Sequence, residues 1–268
     1  MKKVLIGLFS VYVLTACQTT AIDSSELGDE AGLSTQYSEG KVSGKTAADI
    51  NTQLGAGYIA NGRYDRALIK LSKAIRQDPD HALAHNYLGV LFSRLERPEK
   101  ANIQFQKSIQ LSPGDSTILN NYALFLCEQK KFDKAQRVFK KVINNPLYIN
   151  RAGAYQSAAW CALENHDLQA SEKLYKQAVA MEPDLPRSLL GLAKINYKKG
   201  NYKYAWRYFE RFDKNMAPDA DALWLGINIL NKLDYPDKNK LSSYKLLLKS
   251  KFPDTDETKW LYQGKQEY

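Results

Sequence analysis

From residue 48 onward, apolar side chains recur at helical spacing in short amphipathic runs, broken by polar, Gly-containing or Pro-containing stretches. Each run predicts a helix with one buried face. The runs come in pairs, and the pairs repeat. "ADINTQLGAGYIANGRYDRALIKLSKAIRQDPD", "ALAHNYLGVLFSRLERPEKANIQFQKSIQLSPGD" and "STILNNYALFLCEQKKFDKAQRVFKKVINNPLYI" align at a spacing of 34 residues. A fourth unit, "AGAYQSAAWCALENHDLQASEKLYKQAVAMEPDL", follows after two extra residues. A fifth is weaker at its end, and a sixth keeps the rhythm without the small residue of the others. The predicted units are 48–81, 82–115, 116–151, 152–185, 186–219 and 220–257, with a tail over 258–268. Turns are marked by Asn61-Gly62, Lys130-Lys131, Asn165-His166-Asp167, Gly200-Asn201 and Tyr235-Pro236. No segment shows strand-like alternation, so the fold class is all-α, a superhelix of about six helix pairs.

The residue types at fixed offsets explain why pairs form. Leu54-Gly55, Leu88-Gly89 and Tyr122-Ala123 place a large residue and then a small one in the first helix. Ala67, Ala101 and Ala135 mark a close crossing in the second, followed four positions later by Leu71, Phe105 and Phe139. Small residues let antiparallel helices approach, and large ones fill the groove between ridges. Pro79 and Pro113 stop the second helix because proline has no N–H to donate. In the third unit Pro146 comes one position early. This pattern resembles the tetratricopeptide repeat.

Residues 1–47 read differently. "MKKVLIGLFSVYVLTAC" opens with two lysines, continues through a short apolar run and ends in small residues, the pattern of a secretory signal over 1–16. The run is too short for a spanning helix, which needs ~20 apolar residues. Leu14-Thr15-Ala16-Cys17 resembles the bacterial lipobox, which implies lipidation of Cys17 after cleavage; an ordinary signal with an incidental cysteine is the alternative. Residues 17–47 are polar and rich in Ser, Gly and Thr, a flexible tether that would span about 30 Å. Within it "GKVSGKT" lacks phosphate-loop spacing, because Glu39 stands where glycine is required. The net charge of +9 comes from interspersed Lys and Glu, the pattern of a solvated surface, and no nucleic-acid partner is expected of an exported chain.

Several stretches narrow the resemblance. "NNYALFLCEQKKFDKAQRVFKKVINNPLY", "LLGLAKINYKKGNYKYAWRYFERF" and "LWLGINIL" followed by "YKLLLKSKFPDTDE" resemble the PilF/PilW pilotin family of type IV pilus biogenesis lipoproteins. The likeness runs from the lipobox to about Glu257. It implies an outer-membrane lipoprotein facing the periplasm, where it assists localisation and multimerisation of the pilus secretin. Gln18 beside the cysteine implies outer-membrane sorting by the same resemblance. The alternative is a repeat lipoprotein serving as adaptor for periplasmic peptidases or cell-wall enzymes.

Cys127 and Cys161 lie in the first helices of neighbouring units, and an oxidising compartment makes a bridge between them available. Two separately buried thiols are the alternative, and side-chain direction decides. His81 and His85 have an i, i+4 spacing compatible with a metal, but His81 follows Asp80 in a turn and His166 lies two units away, so no metal site is expected. No set of serine, histidine and acid departs from the helix pattern; neither enzyme activity nor a cofactor is expected. First helices line the concave face of such superhelices. There Asn86, Arg94, Asn120, Glu128 and Trp160, with the basic run Arg187, Lys194, Tyr197 and Lys198, form a candidate groove for an extended polypeptide, against the plainer reading of a solvated surface. The stripe Phe105, Phe139, Tyr175 and Phe209 is read as packing between helices.

Overall fold

The computed structural model describes residues 44–265 and 268. The signal segment 1–16, Cys17 and the tether up to residue 43 lie outside the described residues. Thirteen α-helices and no strand occur among the described residues. Six antiparallel pairs follow in order: α1 (Gly44–Ala60) with α2 (Tyr64–Gln77), α3 (Ala82–Arg94) with α4 (Pro98–Leu111), and α5 (Ser116–Glu128) with α6 (Phe132–Ile143). Then come α7 (Arg151–Glu164) with α8 (Leu168–Met181), α9 (Pro186–Lys198) with α10 (Tyr202–Asn215), and α11 (Ala220–Asn231) with α12 (Lys238–Lys251), closed by α13 (Asp256–Tyr262).

The first five pairs turn by one device. Gly62, Glu96, Lys130, His166 and Gly200 all have left-handed φ, between 55° and 74°. In each turn that residue's N–H reaches the carbonyl three residues back, and the next N–H reaches the carbonyl five back. Lys130 N–H to Cys127 O and Lys131 N–H to Leu126 O, both 2.8 Å, are one case. These two bonds satisfy carbonyls that the helix end would leave orphaned. Helix starts are fixed separately: Asp115 Oδ1 accepts from the amides of Thr117 and Ile118, Asp219 Oδ1 accepts from Ala222, and Pro98 and Pro186 occupy first-turn positions.

Within pairs, small residues set the approach. Ala67, Ala101, Ala135 and Ala205 are fully buried, and Ser171 stands at the same offset with its hydroxyl donating to Ala159 O at 2.8 Å. A side chain on Gly89 would lie 2.9 Å from the Phe105 ring. Beyond the pair, the backbone of each odd-numbered helix from α1 to α11 closes on that of the next odd-numbered one, whereas successive even-numbered helices stand further apart and meet only through side chains, as where Tyr244 of α12 donates to Asp213 of α10. A stack tight along one side and open along the other must curve. The odd helices therefore form its inner face.

Two boundaries, the start of the first helix and the tail, and one small residue differ from the sequence reading, while the irregular third junction follows it. Helix α1 begins at Gly44, inside the segment read as tether to residue 47, because Ala48 is buried against Ala74 and Ala84 and carries the helix back by a turn. Helix α6 has 12 residues where α2 and α4 have 14, and the loop before α7 leaves Leu147 and Ile149 87% and 98% exposed. The sixth unit does have its small residue. Gly226, whose added side chain would lie 2.7 Å from Phe209, receives the ring of the preceding helix. Every residue from Ala222 to Leu230 is buried, because α11 is enclosed by α9, α10, α12 and α13. A helix apolar all round belongs in such a place. The segment read as a tail over 258–268 also joins the domain through its described residues: Thr258 is buried and donates to Phe252 O at 2.7 Å, and the Trp260 ring lies 6.0 Å from that of Trp224.

Candidate protein-binding surface

Helices α3, α5, α7 and α9 carry the predicted groove residues, but not as one surface. Asn86 is wholly buried, and neither its Nδ2 nor its Oδ1 has a hydrogen-bonding partner in the protein. Its place in α3 turns it into the core beside the buried His85 and Leu88, so it is removed from the groove. Asn120 is half-buried with Oδ1 likewise unpartnered. Trp160 packs against the cluster of Ala123, Leu126, Cys127, Phe139 and Cys161 and serves the core more than the surface.

Arg94 and Glu128 do come together, joining α3 to α5. The guanidinium lies 3.4 Å from one carboxylate oxygen, and Ser93 Oγ donates to the other at 2.5 Å. Behind them a cavity of about 90 Å³ runs between Val90, Phe105, Leu124 and Phe125.

The basic part forms a second centre on α9. Lys194 Nζ pairs with Asp221 Oδ2 of α11 at 2.6 Å. Lys194 and Lys198 line a cavity of about 390 Å³ with Leu163, Glu164, Leu168 and Ile195. Arg187 is exposed two turns earlier on the same face. Next to Lys198, Lys199 bonds to Glu172, which also pairs with Lys176 at 2.8 Å. The hydrogen bonds from Lys176 and Lys199 hold the Glu172 carboxyl below the usual carboxylate range. Sequence reasoning missed Asp221 and Tyr268 here. The Tyr268 hydroxyl donates to Asp221 Oδ1 at 2.8 Å across a separation of 47 residues, and only the folded chain reveals it.

Cys127 and Cys161 form a disulfide with a Cα–Cα distance of 5.7 Å, tying α5 to α7 across the irregular loop. His81 and His85 diverge. His81 Nε2 lies 2.7 Å from Asp49, while the nitrogens of His85 meet Gln104 Oε1 at 2.8 Å and Pro79 O at 3.0 Å. Among the described residues no three or more His, Cys, Asp or Glu side chains are grouped to hold a metal ion. The aromatic stripe is buried: burial pushes the Tyr175 phenol up to about 12, and its ring would meet any side chain on Gly191 at 2.5 Å.

Comparison with known proteins matches this construction. The chain is 28% identical over 240 residues to the type IV pilus assembly protein PilF of Pseudomonas aeruginosa, covering 90% of each. The solved structure of Pseudomonas aeruginosa PilF superimposes with a TM-score of 0.70 at 27% identity, over 83% of this chain and 99% of that one. PilW, described as a widely conserved type IV pilus biogenesis factor, shares the fold with a TM-score of 0.69 at 24% identity, over 80% and 98%. Tetratricopeptide-repeat models match residues 52–116 and 157–223, and a second such model residues 105–137, together more than half of the chain. With its helix pairs, its small residues at the crossings and these matches, the chain belongs to the tetratricopeptide-repeat family.

Proposed function

We propose that this protein is a non-enzymatic, protein-binding scaffold of type IV pilus biogenesis, held at the outer membrane by a lipid on Cys17. The observation that carries this reading is the correspondence with PilF over nine-tenths of both chains, far more than a single generic repeat. In this reading the scaffold assists the pilus secretin subunit to reach the outer membrane and to multimerise, and the inner face of odd-numbered helices holds a segment of it. Leu14-Thr15-Ala16-Cys17 supports the anchor, and the Cys127–Cys161 disulfide suits an oxidising periplasm. No described helix is long and apolar enough to cross a membrane, so attachment falls to the lipid, whose several acyl chains give stable anchoring.

Deletion of the gene tests the reading. The expected result is loss of secretin multimers and of surface pili. Normal multimers and normal pili would overturn it, and altered peptidoglycan hydrolysis in their place would favour an adaptor for cell-wall enzymes.

A further inference from the structure

The basic centre on α9 already holds a side chain. Tyr268 lies against α9 and α11, with its ring edge-on to Tyr197 at 5.9 Å between centroids and the planes at 84°. Lys194 Nζ stands 5.6 Å from the centre of the Tyr268 ring, and the hydroxyl donates to Asp221. Lys194 and Asp221 are themselves paired, so the cation facing the ring and the acceptor for the hydroxyl are fixed by one another. An aromatic edge, a cation and a carboxylate thus converge on one phenol. Burial, reinforced by Asp221, raises the Tyr268 phenol above its ordinary range and keeps it a donor.

Two further features separate this from ordinary core packing. First, helix α13 is ended at Gly264 (φ 70°), with Gly264 N–H on Leu261 O and Lys265 N–H on Trp260 O. The chain is thus turned at a defined point, Gly264. Second, the site is not closed. The cavity of about 390 Å³ has Tyr268 as one wall and continues past Lys198 towards Glu164, His166 and Leu168, with room for residues neighbouring an inserted side chain.

We propose that the Lys194–Tyr197–Asp221 site receives a tyrosine borne on a polypeptide segment of a partner, and that Tyr268 occupies it in cis and competes with that segment. The proposal rests on the scaffold reading above and names the chemistry that one part of its surface recognises. A phenylalanine would fill the ring position but leave Asp221 without the hydroxyl. Since a hydrogen bond to a charged group is the stronger kind, tyrosine should be preferred by roughly tenfold.

The test uses the full chain and a fluorescently labelled peptide of the sequence Gln263 to Tyr268. The Tyr268→Ala variant is expected to bind this peptide at least ~10-fold more tightly than the wild type, whose own tail blocks the site. A peptide with phenylalanine in place of tyrosine should bind the variant roughly tenfold more weakly, and adding Asp221→Asn should erase that difference. A Tyr268→Phe chain, which keeps the ring, should show intermediate affinity, and matching circular-dichroism melts would show that the variants fold. Equal peptide affinity for wild type and Tyr268→Ala, or no binding by Tyr268→Ala, would overturn the proposal. The titration contains no pilus component, so its failure leaves the deletion phenotype intact, and a normal deletion strain leaves the titration intact.

Discussion

Glu96, Lys130 and His166 hold left-handed conformations that Gly62 and Gly200 adopt at equivalent turns. A Cβ costs about 1–2 kcal/mol there, partly offset because glycine also loosens the unfolded chain. Lys130→Gly should therefore raise stability by a few tenths to about 1 kcal/mol in urea unfolding. Loss of stability would mean that the Lys130 side chain makes contacts that outweigh its strained backbone. Tyr175 gives a pH-dependent counterpart. Its phenol is pushed up to about 12 by burial, so its stabilisation is fully present below the ordinary tyrosine value near 10. It is lost as pH rises through about 12, because the unfolded chain releases the proton first. Tyr175→Phe should flatten the alkaline fall in melting temperature between those limits; an unchanged slope would contradict the assignment. At this scale much was legible. The buried alanines and ring positions follow from offset alone, whereas Asn86 looked like any groove amide and only its azimuth on α3 turns it inward.

Along the helices, pairing follows from local signals, since each turn and each small crossing residue joins elements adjacent in sequence. The junction between α6 and α7 is the exception. Its two extra residues break the period, and Cys127 and Cys161 sit at different offsets in their units, so spacing alone left their bridging open. In the fold they lie 5.7 Å apart between Cα atoms, and the bridge restrains a loop of 34 residues. The chain-entropy estimate for such a closure is about 3–4 kcal/mol. The Cys127→Ala, Cys161→Ala variant should lose an amount of that order in urea unfolding, and reduction of the wild type should reproduce it. A loss below ~1 kcal/mol would show that packing of Trp160 and Phe139 already holds α5 to α7.

The repeat array curves because the backbones of its odd helices close on one another while those of its even helices stand further apart. That asymmetry was readable only as a family expectation, since stacking between units is a property of no single segment. The binding centres were half-legible for the same reason: Arg187, Lys194, Tyr197 and Lys198 share a helix, but Asp221 and Tyr268 reach them through the fold. For attachment, Cys17→Ala should move the protein out of the outer-membrane fraction, and retention there would contradict the lipid anchor. We propose that a pilus partner is held on the inner face. It is tested most directly by counting surface pili and secretin multimers in a deletion strain carrying one of two charge-reversed genes. One changes Arg187, Lys194 and Lys198 on α9 to glutamate; the other changes the exposed Lys203, Arg207 and Lys214 on α10. The outer-face gene is expected to restore pili and multimers and the inner-face gene to fail, whereas full restoration by the inner-face gene would rule out binding through these inner-face residues.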